Sequence, residues 1–407
     1  MAAQRLFVWK FGGTSLAGTD RLRAVAERLV AAHRAGHQLV VVLSAMGGST
    51  DELNAMAYSV SGRPQLRELD ALLSVGENIS CALAAMAVQD AGARAVSLTG
   101  PQAGILTDGA HGNARLREVR PERIRQELAT GAIVLVTGYQ GISPAGDVTT
   151  LGRGGSDASA VAIAAGLGLH ECEIFTDVPA VFTADPRVVP GARPLAAISR
   201  DEMLQLAAAG ASVLQPRAVE LAAAHDVDVH VRSSFTNEPG TWLQEGAVFE
   251  SFEITGIAHR DREALYTVTG ASPATIMAAL AERGAPAGAI VRNGSEIHLT
   301  APGVEEPEVL EAVSATGAQI VLLDELGSVS LVGTGIGRRP DTMARALQAL
   351  EAEDIEPLLV TSTPSRVTFH VMRRAVDRAV RRLHTTFGLH QAAAVALALD
   401  RAARSVS

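Results

Sequence analysis

The chain has 407 residues, which is long enough for two or three domains, and 47% of them are hydrophobic, as in a globular protein. With 19% charged residues, 38 glycines and 17 prolines, the composition excludes a coiled coil, a collagen repeat and an acidic disordered chain. A net charge of -9 and only 3% aromatic residues argue against a nucleic-acid partner, which needs a basic surface or stacking side chains.

Short apolar, β-rich runs alternate with helix-period stretches through the first 245 residues. The pattern predicts strands at 5–9, 39–43, 94–99, 132–137, 172–176 and 228–232, and helices at 20–35, 69–91, 121–130, 156–167 and 200–206. This alternation favours one α/β domain, in which a mainly parallel sheet is covered by helices on both faces.

Turn residues interrupt this pattern near residues 236–250, where we place a domain boundary. A weak internal repeat follows, because segments 273–280 and 340–347 share Pro, Thr and Leu at the same spacing. Each segment lies between two β-rich runs, which predicts a βαβ-type unit written twice, with coincidence as the alternative. Residues 391–404 are rich in alanine and predict a closing helix.

Two features bear on the compartment. Cys81 and Cys172 are too few for a disulfide framework and lack metal-ligand spacing, so we expect reduced thiols in the core. The first residues contain no long apolar segment, and the apolar stretch 158–169 is shorter than the roughly 18 residues that span a membrane. The sequence therefore predicts a soluble, cytoplasmic protein with no membrane partner.

Lys10 is the single lysine among 35 basic side chains. Arginine serves equally well on a surface, but its planar guanidinium is a poor replacement for a compact ammonium at a confined site. The strand ending at Lys10 leads into Gly12, Gly13, Thr14 and Ser15, whose backbone N–H groups and hydroxyls suit a phosphate. Lys10 could then stabilise a phosphoryl group in transfer. The alternatives are that the two glycines form an ordinary tight turn and that this single lysine is present by chance.

A second glycine loop, residues 151–157, opens a predicted helix. Arg153 in this loop can hold a carboxylate by two parallel hydrogen bonds. Asp157 at the helix start can orient an ammonium or a metal-bound phosphate, although Ser156 or Asp157 could equally be an N-cap. The loop would therefore place Arg153, which can bind a carboxylate, close to Asp157, which can orient a metal-bound phosphate.

Four motifs occur in one order along the chain: KFGGTS at 10–15, VVLSAM at 41–46, GRGGSD at 152–157 and FTDVPAVFTADPRVVPGAR at 175–193. In these motifs the chain resembles the aspartate kinases of the amino-acid kinase superfamily, and the repeat resembles their tandem ACT regulatory domains. The resemblance implies a three-layer α/β sandwich with a mainly parallel sheet over residues 1–245. A tandem ACT-like βαβ (α+β) region would follow over 255–390, with a C-terminal helix or tail over 391–407.

The resemblance also implies the roles of individual residues. Lys10 and Asp157 would be catalytic, Arg153 would bind a carboxylate of the amino-acid substrate, and Glu77 its amino group. Without the resemblance, Glu77 would be interpreted as a solvated carboxylate at a helix start. Ser44 and Thr50 would line the substrate pocket. The nucleotide would be bound by Gly12, Gly13, Thr14, Ser15, Gly154, Gly155, Thr176, Asp177, Phe182, Asp185, Arg187 and Ser212, and no side chain is assigned to a metal.

Four positions depart from the family pattern. Ser212 stands where many members have a lysine near the nucleotide phosphates, and Val75 stands where Thr is usual. In the segment expected to hold adenine, Ala180 replaces Gly and Phe182 replaces Tyr. These changes leave the expected substrate contacts unaltered but bear on nucleotide affinity and turnover.

By resemblance, the chain would use ATP and Mg²⁺ to phosphorylate the side-chain carboxylate of L-aspartate, the first step towards lysine, threonine and methionine. Lysine or threonine would be the effector, and a homodimer or higher homo-oligomer is expected. One alternative is a specialised paralogue acting on another amino acid, which Val75 and Ser212 motivate. Another is a non-catalytic amino-acid sensor, against which Lys10 and Asp157 argue.

Overall fold

In the computed structural model the described residues are 4–246, 254–283, 285, 287–301 and 306–391. The strands of the first region are β1 (Leu6–Phe11), β2 (Gln38–Leu43), β3 (Ala95–Leu98), β4 (Ile105–Thr107), β5 (Leu116–Val119), β6 (Ile133–Thr137), β7 (Gln140–Ile142), β8 (Val148–Thr150), β9 (Glu171–Thr176), β10 (Ala197–Ser199), β11 (Asp228–Ser233) and β12 (Thr241–Gln244). Its helices are α1 (Thr19–Arg34), α2 (Ser49–Val60), α3 (Leu66–Leu73), α4 (Val75–Asp90), α5 (Glu122–Ala129), α6 (Gly155–Leu167), α7 (Arg200–Ala208) and α8 (Pro216–Ala224).

The main sheet has the strand order β10-β12-β11-β9-β1-β2-β6-β3, and its neighbours are parallel except for the β11–β12 pair. Side chains alternate across it, so that Val8 packs with α5 to α8 on one face while Trp9 and Phe11 pack with α1 and α4 on the other. Burial of both faces explains why these strands are continuous apolar runs. The predicted three-layer α/β sandwich is confirmed.

The parallel strands place their carboxyl ends along one edge of this sheet. β1 ends in a 3₁₀ turn at Gly13–Leu16, and Ser44 follows β2 directly. Gly138 follows β6 and Asp177 follows β9 at the same edge. Open α/β sheets bind ligands outside this edge, so a ligand site is expected at these connections.

A small second sheet of order β5-β4-β7-β8 lies outside the predicted pattern. Its strands are three or four residues long and partly polar, too short for a periodicity to appear. α2, α8, β10 and β12 were also not predicted, and the helix predicted at 69–91 is in fact two helices that meet at Ser74. The small sheet matters for function because β8 leads directly into the loop carrying Arg153.

The second region consists of β13 (Ile254–Thr269), α9 (Pro273–Glu282), β14 (Ile290–Asn293), β15 (Glu296–Thr300), α10 (Glu306–Ser314), β16 (Gln319–Gly333), α11 (Pro340–Glu351), β17 (Leu359–Thr363), β18 (Arg366–Met372) and α12 (Val376–Thr386). Its antiparallel sheet has the order β14-β15-β13-β16-β18-β17. The predicted repeat is present, but each unit is βαββα, because a hairpin and a further helix follow each predicted helix. The helix predicted at 391–404 lies outside the described residues except for Gln391.

β13 and β16 each pass through both units of this sheet. Their pairing is irregular between Arg260 and Leu265, where the strands cross from one unit to the other. Separate apolar cores lie under the two units, one around Tyr266 and Ile276 and the other around Phe369 and Leu350. The first unit is thus inserted in sequence between the two halves of the second.

Cys81 and Cys172 are both free and buried, which confirms the predicted core thiols. Burial raises the pKa of each thiol because the thiolate would lose its hydration. One helical run, Leu66–Asp90, is long and apolar enough to cross a membrane by length and composition alone. Half of its most apolar window is buried in the protein, and α4 packs against α1 as a core helix does.

Candidate active site

Two cavities lie along the carboxyl edge of the main sheet. The first, here the Lys10 cavity, has a volume of about 480 Å³. It is lined by Lys10, Gly13, Ser44, Ala45, Met46, Gly47, Gly48, Thr50, Asp51, Glu77, Tyr139, residues 152–157 and Gln215. The second, here the Phe182 cavity, has a volume of about 510 Å³ and is lined by residues 176–178, 180–182, 184–187, Leu206, 210–213 and 257–259.

Lys10 and Asp157 form a buried ion pair in the first cavity. The Lys10 ammonium Nζ lies 2.5 Å from Asp157 Oδ1, and each residue is less than 10% exposed. Asp157 occupies the first turn of α6, where the helix dipole favours a negative charge. The pair holds a positive charge at a defined point facing the cavity.

Glu77 is buried in the same cavity with one oxygen satisfied. Its Oε1 accepts a hydrogen bond from the backbone N–H of Ala45 at 3.0 Å, whereas Oε2 has no hydrogen-bond partner among the described residues. Burial raises the pKa of Glu77 to about 7, because the ionised carboxylate loses its hydration. The expectation of a solvated carboxylate, made without the resemblance, is wrong. A buried carboxylate with a free oxygen is suited to receive a cation from a ligand.

The loop between β8 and α6 presents Arg153 to the Lys10 cavity. Gly152 and Gly154 have left-handed φ values of 72° and 76°, which non-glycine residues adopt at a cost. The Leu151 N–H donates to the carbonyl of Tyr139 at 2.8 Å, and Arg217 donates to the Leu151 carbonyl. The loop is therefore tightly held while Arg153 itself is exposed at its tip.

The predicted site residues near Lys10 divide into two groups. Ser44, Thr50, Glu77, Arg153, Asp157, Gly13, Gly154 and Gly155 all line the Lys10 cavity. Gly12, Thr14 and Ser15 do not line it. The Ser15 hydroxyl instead hydrogen-bonds the Ser234 hydroxyl at 2.5 Å beside a separate cavity, and the carbonyl of the exposed Thr14 accepts from Arg21. The Ser15 hydroxyl is thus turned away from the cavity in which we expected it to act.

The Phe182 cavity collects the remaining predicted residues, namely Thr176, Asp177, Phe182, Asp185, Arg187 and Ser212. The Arg187 guanidinium donates to both carboxylate oxygens of Asp185, and this lowers the pKa of Asp185. The Ser212 hydroxyl donates to the Gly210 carbonyl at 3.3 Å. Ser212 and Gln215, three residues apart, line the two different cavities, which are therefore neighbours along the chain.

The second region supplies one wall of the Phe182 cavity. Ile257, Ala258 and His259 of β13 line it, and the Ile257 N–H donates to the Thr183 carbonyl at 2.8 Å. On α12, His384 Nε2 lies 3.0 Å from the Thr183 hydroxyl. Sequence reasoning missed this wall because no local pattern links residue 183 to residues 257 and 384.

Tyr139, Asp51 and Gln215 also line the Lys10 cavity and were not predicted. Tyr139 could have been found, because it comes directly after Gly138 at the end of the apolar run 132–137. The residue after a parallel strand lies at the ligand-binding edge of the sheet.

The profile of the amino acid kinase family matches residues 5–233, and an ACT domain profile matches residues 329–387. The aspartokinase of Mycolicibacterium smegmatis is 44% identical over 405 residues, covering 94% of this chain and 96% of the relative. That of Geobacillus stearothermophilus is 43% identical, covering 96% and 98%. The structure of E. coli aspartokinase III with aspartate and ADP has a TM-score of 0.79 at 22% identity, covering 94% and 99%. Its complex with lysine and aspartate has a TM-score of 0.73 at 23% identity, with the same coverage.

Proposed function

The chain belongs to the aspartokinases, and from that premise we propose that it transfers the γ-phosphoryl group of ATP to the side-chain carboxylate of L-aspartate, giving 4-phospho-L-aspartate. The observation that carries the proposal is the grouping of three charges in the Lys10 cavity. An ammonium at Lys10, a carboxylate at Glu77 and a guanidinium at Arg153 line one space. Lys10 complements a phosphate, Glu77 an amino group and Arg153 a carboxylate.

The acceptor is oriented by its two ends. Arg153 binds a carboxylate of aspartate through two N–H donors, and the free oxygen of Glu77 receives the α-ammonium. Ser44 and Thr50 supply hydroxyls along the same cavity. The side-chain carboxylate is then directed towards Lys10.

Transfer needs no general base, because a carboxylate is already ionised at pH 7. An oxygen of the aspartate side chain forms a bond to the γ-phosphorus, the bond from that phosphorus to the β,γ-bridging oxygen breaks, and ADP leaves with the electron pair. Lys10, held by Asp157, stabilises the charge on the phosphoryl oxygens. Catalysis therefore depends on positioning and charge neutralisation.

The nucleotide base and sugar occupy the Phe182 cavity, and the phosphates extend towards Lys10. The structure of E. coli aspartokinase III with bound ADP supports this use of the fold. Mg²⁺ fits the chemistry of the site, since the Lys10 cavity offers the carboxylates of Asp51 and Asp157 and hydroxyl oxygens. When bound, Mg²⁺ would neutralise phosphate charge, with most of its ligands coming from the triphosphate and water.

The ACT region makes the enzyme subject to feedback by an end product, lysine or threonine, in the pathway to lysine, threonine and methionine. The E. coli relative was solved with lysine bound. In this chain the contacts of Thr183 with Ile257 and His384 give an effector a direct route to the Phe182 cavity. We place the enzyme in the cytoplasm as a homodimer or higher homo-oligomer.

The proposal is tested with a panel of amino acids, Mg-ATP and hydroxylamine, which traps an acyl phosphate as a hydroxamate. Hydroxamate from aspartate alone is expected. Hydroxamate from another amino acid would instead indicate a specialised paralogue, and none at all would indicate a non-catalytic sensor. Heat-denatured protein is the blank for each substrate.

Regulation is tested by calorimetric titration of lysine, threonine and methionine, singly and in pairs, into the intact protein. An inhibitory effector must bind the active and inactive states with different affinities, so effector and substrate should weaken each other's binding by the same factor. If no end product binds, the regulatory role of the ACT region is wrong.

A further inference from the structure

A buried carboxylate that lines neither cavity lies behind the loop that carries Arg153. Asp70 on α3 is 1% exposed. It accepts a hydrogen bond from the Thr150 hydroxyl at 2.5 Å and from the Gly112 N–H at 3.1 Å, and it contacts His111 Nδ1 at 2.8 Å. Such a full set of partners is what keeps a buried carboxylate stable. Asp70 therefore joins α3, the connection before β5 and the end of β8.

From Asp70 the contacts continue along the backbone into the Arg153 loop. Thr150, whose hydroxyl donates to Asp70, is the last residue of β8, and the next residue, Leu151, donates its N–H to the Tyr139 carbonyl. Tyr139 lines the cavity and has a left-handed φ of 68°. Such a conformation is unfavourable for a residue with a side chain and is found where surrounding contacts enforce it.

Tyr139 also holds the Arg153 loop at both ends. Its carbonyl accepts from the Leu151 N–H at 2.8 Å. Its ring packs on Gly155, where an added Cβ would lie 3.0 Å from the ring atom Cδ2. Arg153 lies between these two points of attachment. The loop is thus anchored by Tyr139 at both ends, and Asp70 holds Thr150 directly before it.

We propose that Asp70 is a positioning residue for the acceptor, because through Thr150 it fixes the start of the loop that presents Arg153. The inference rests on the proposed function, since it concerns how tightly aspartate is held. A two-pronged hydrogen bond from arginine tolerates little change in angle or position. Loosening the loop should therefore weaken acceptor binding more than nucleotide binding.

The first test is Asp70→Asn, which keeps the shape of the side chain but replaces one acceptor oxygen by a donor. We expect the KM for aspartate to rise at least about tenfold while the KM for ATP changes less than about twofold. Glu173→Gln is the matched control. Glu173 is also largely buried and bonded to Trp9 and Arg232 of the same sheet, but it does not contact the Arg153 loop. Its substitution should leave the ratio of the two KM values unchanged.

The second test asks whether Asp70 acts through Arg153. In an Arg153→Ala background, Asp70→Asn should raise the KM for aspartate no further, because the group it positions has been removed. Full additivity of the two changes would overturn the proposal. An unchanged aspartate KM in Asp70→Asn, or an equal rise in both KM values, would overturn it as well.

Thr150→Val keeps the test decisive if Asp70→Asn does not fold. It removes the hydroxyl that joins Asp70 to the end of β8 but keeps the shape of the side chain. The aspartate KM should rise about threefold to tenfold, as expected for one lost hydrogen bond of about 1 kcal/mol. No change would overturn the proposal. If the wild-type protein phosphorylates no amino acid, the proposed function fails by itself, and calorimetric binding of aspartate to the same variants still tests the role of Asp70.

Discussion

The raised pKa of Glu77 should make aspartate binding depend on pH close to neutrality. With a pKa of about 7, about half of Glu77 is ionised at pH 7 and about a tenth at pH 6. If only the ionised carboxylate binds the substrate ammonium, the KM for aspartate should rise about fivefold from pH 7 to pH 6. From pH 8 to pH 7 the rise should be about twofold.

The same carboxyl group should affect stability in the opposite sense. The folded-state pKa of about 7 lies above the ordinary value of 4.5, so the folded protein binds more protons than the unfolded chain between these values. Its contribution to stability is therefore present at low pH and is lost as the pH rises towards 7. Above pH 7, Glu77→Gln should stabilise the free protein by up to about 3 kcal/mol, the equivalent of the shift.

The assay is the hydroxamate rate at saturating Mg-ATP, with aspartate varied at pH 6, 6.5, 7, 7.5 and 8, for the wild type and Glu77→Gln. The variant corrects for any titration of substrate or nucleotide. It should bind aspartate more weakly, with a flatter pH profile, and melt at a higher temperature at pH 8. A flat wild-type profile, or the same slope in the variant, would refute the assignment of Glu77 to the substrate ammonium.

Three further substitutions test other parts of the site. Lys10→Arg should lower kcat about 100-fold or more, which corresponds to a loss of about 2.7 kcal/mol of transition-state stabilisation. The circular dichroism spectrum should not change, and turnover near that of the wild type would contradict the role of Lys10. Arg153→Ala should raise the KM for aspartate at least about tenfold and leave the KM for ATP unchanged. Substitution of the exposed Arg117 by alanine is the control. An equal rise in both KM values would indicate a folding defect. Ser212→Lys should lower the KM for ATP by up to about fivefold, the value of an exposed ion pair, and no change would show that position 212 does not reach the phosphates.

The parallel core of the fold could be predicted because its strands are buried on both faces. Runs such as 39–43 and 132–136 are apolar at every position, and the helices between them show a clear period. β4, β7 and β8 could not be predicted in the same way, since three residues give no periodicity and their stability comes from pairing with each other.

The site was predictable only where its residues are local in sequence. Lys10 and the glycine loops stand out in short motifs, and the structure brings Lys10, Glu77, Arg153 and Asp157 to one cavity. Ser15 differs because its partner, Ser234, is 219 residues away. Asp70 was missed for the same reason, since Thr150 is 80 residues from it and a lone aspartate in an amphipathic helix carries no sequence signal.

The insertion of the first unit of the second region between the two halves of the other unit has a consequence for the order in which the chain is synthesised. The second unit needs β13, made early, and β18, made near the end, so its sheet can close only after the inserted unit has emerged from the ribosome. Pairing strands so distant in sequence is slow, because the loop must close before the contacts stabilise it. The early part of β13 also forms a wall of the Phe182 cavity. A growing chain can therefore complete the Lys10 cavity well before it completes the Phe182 cavity.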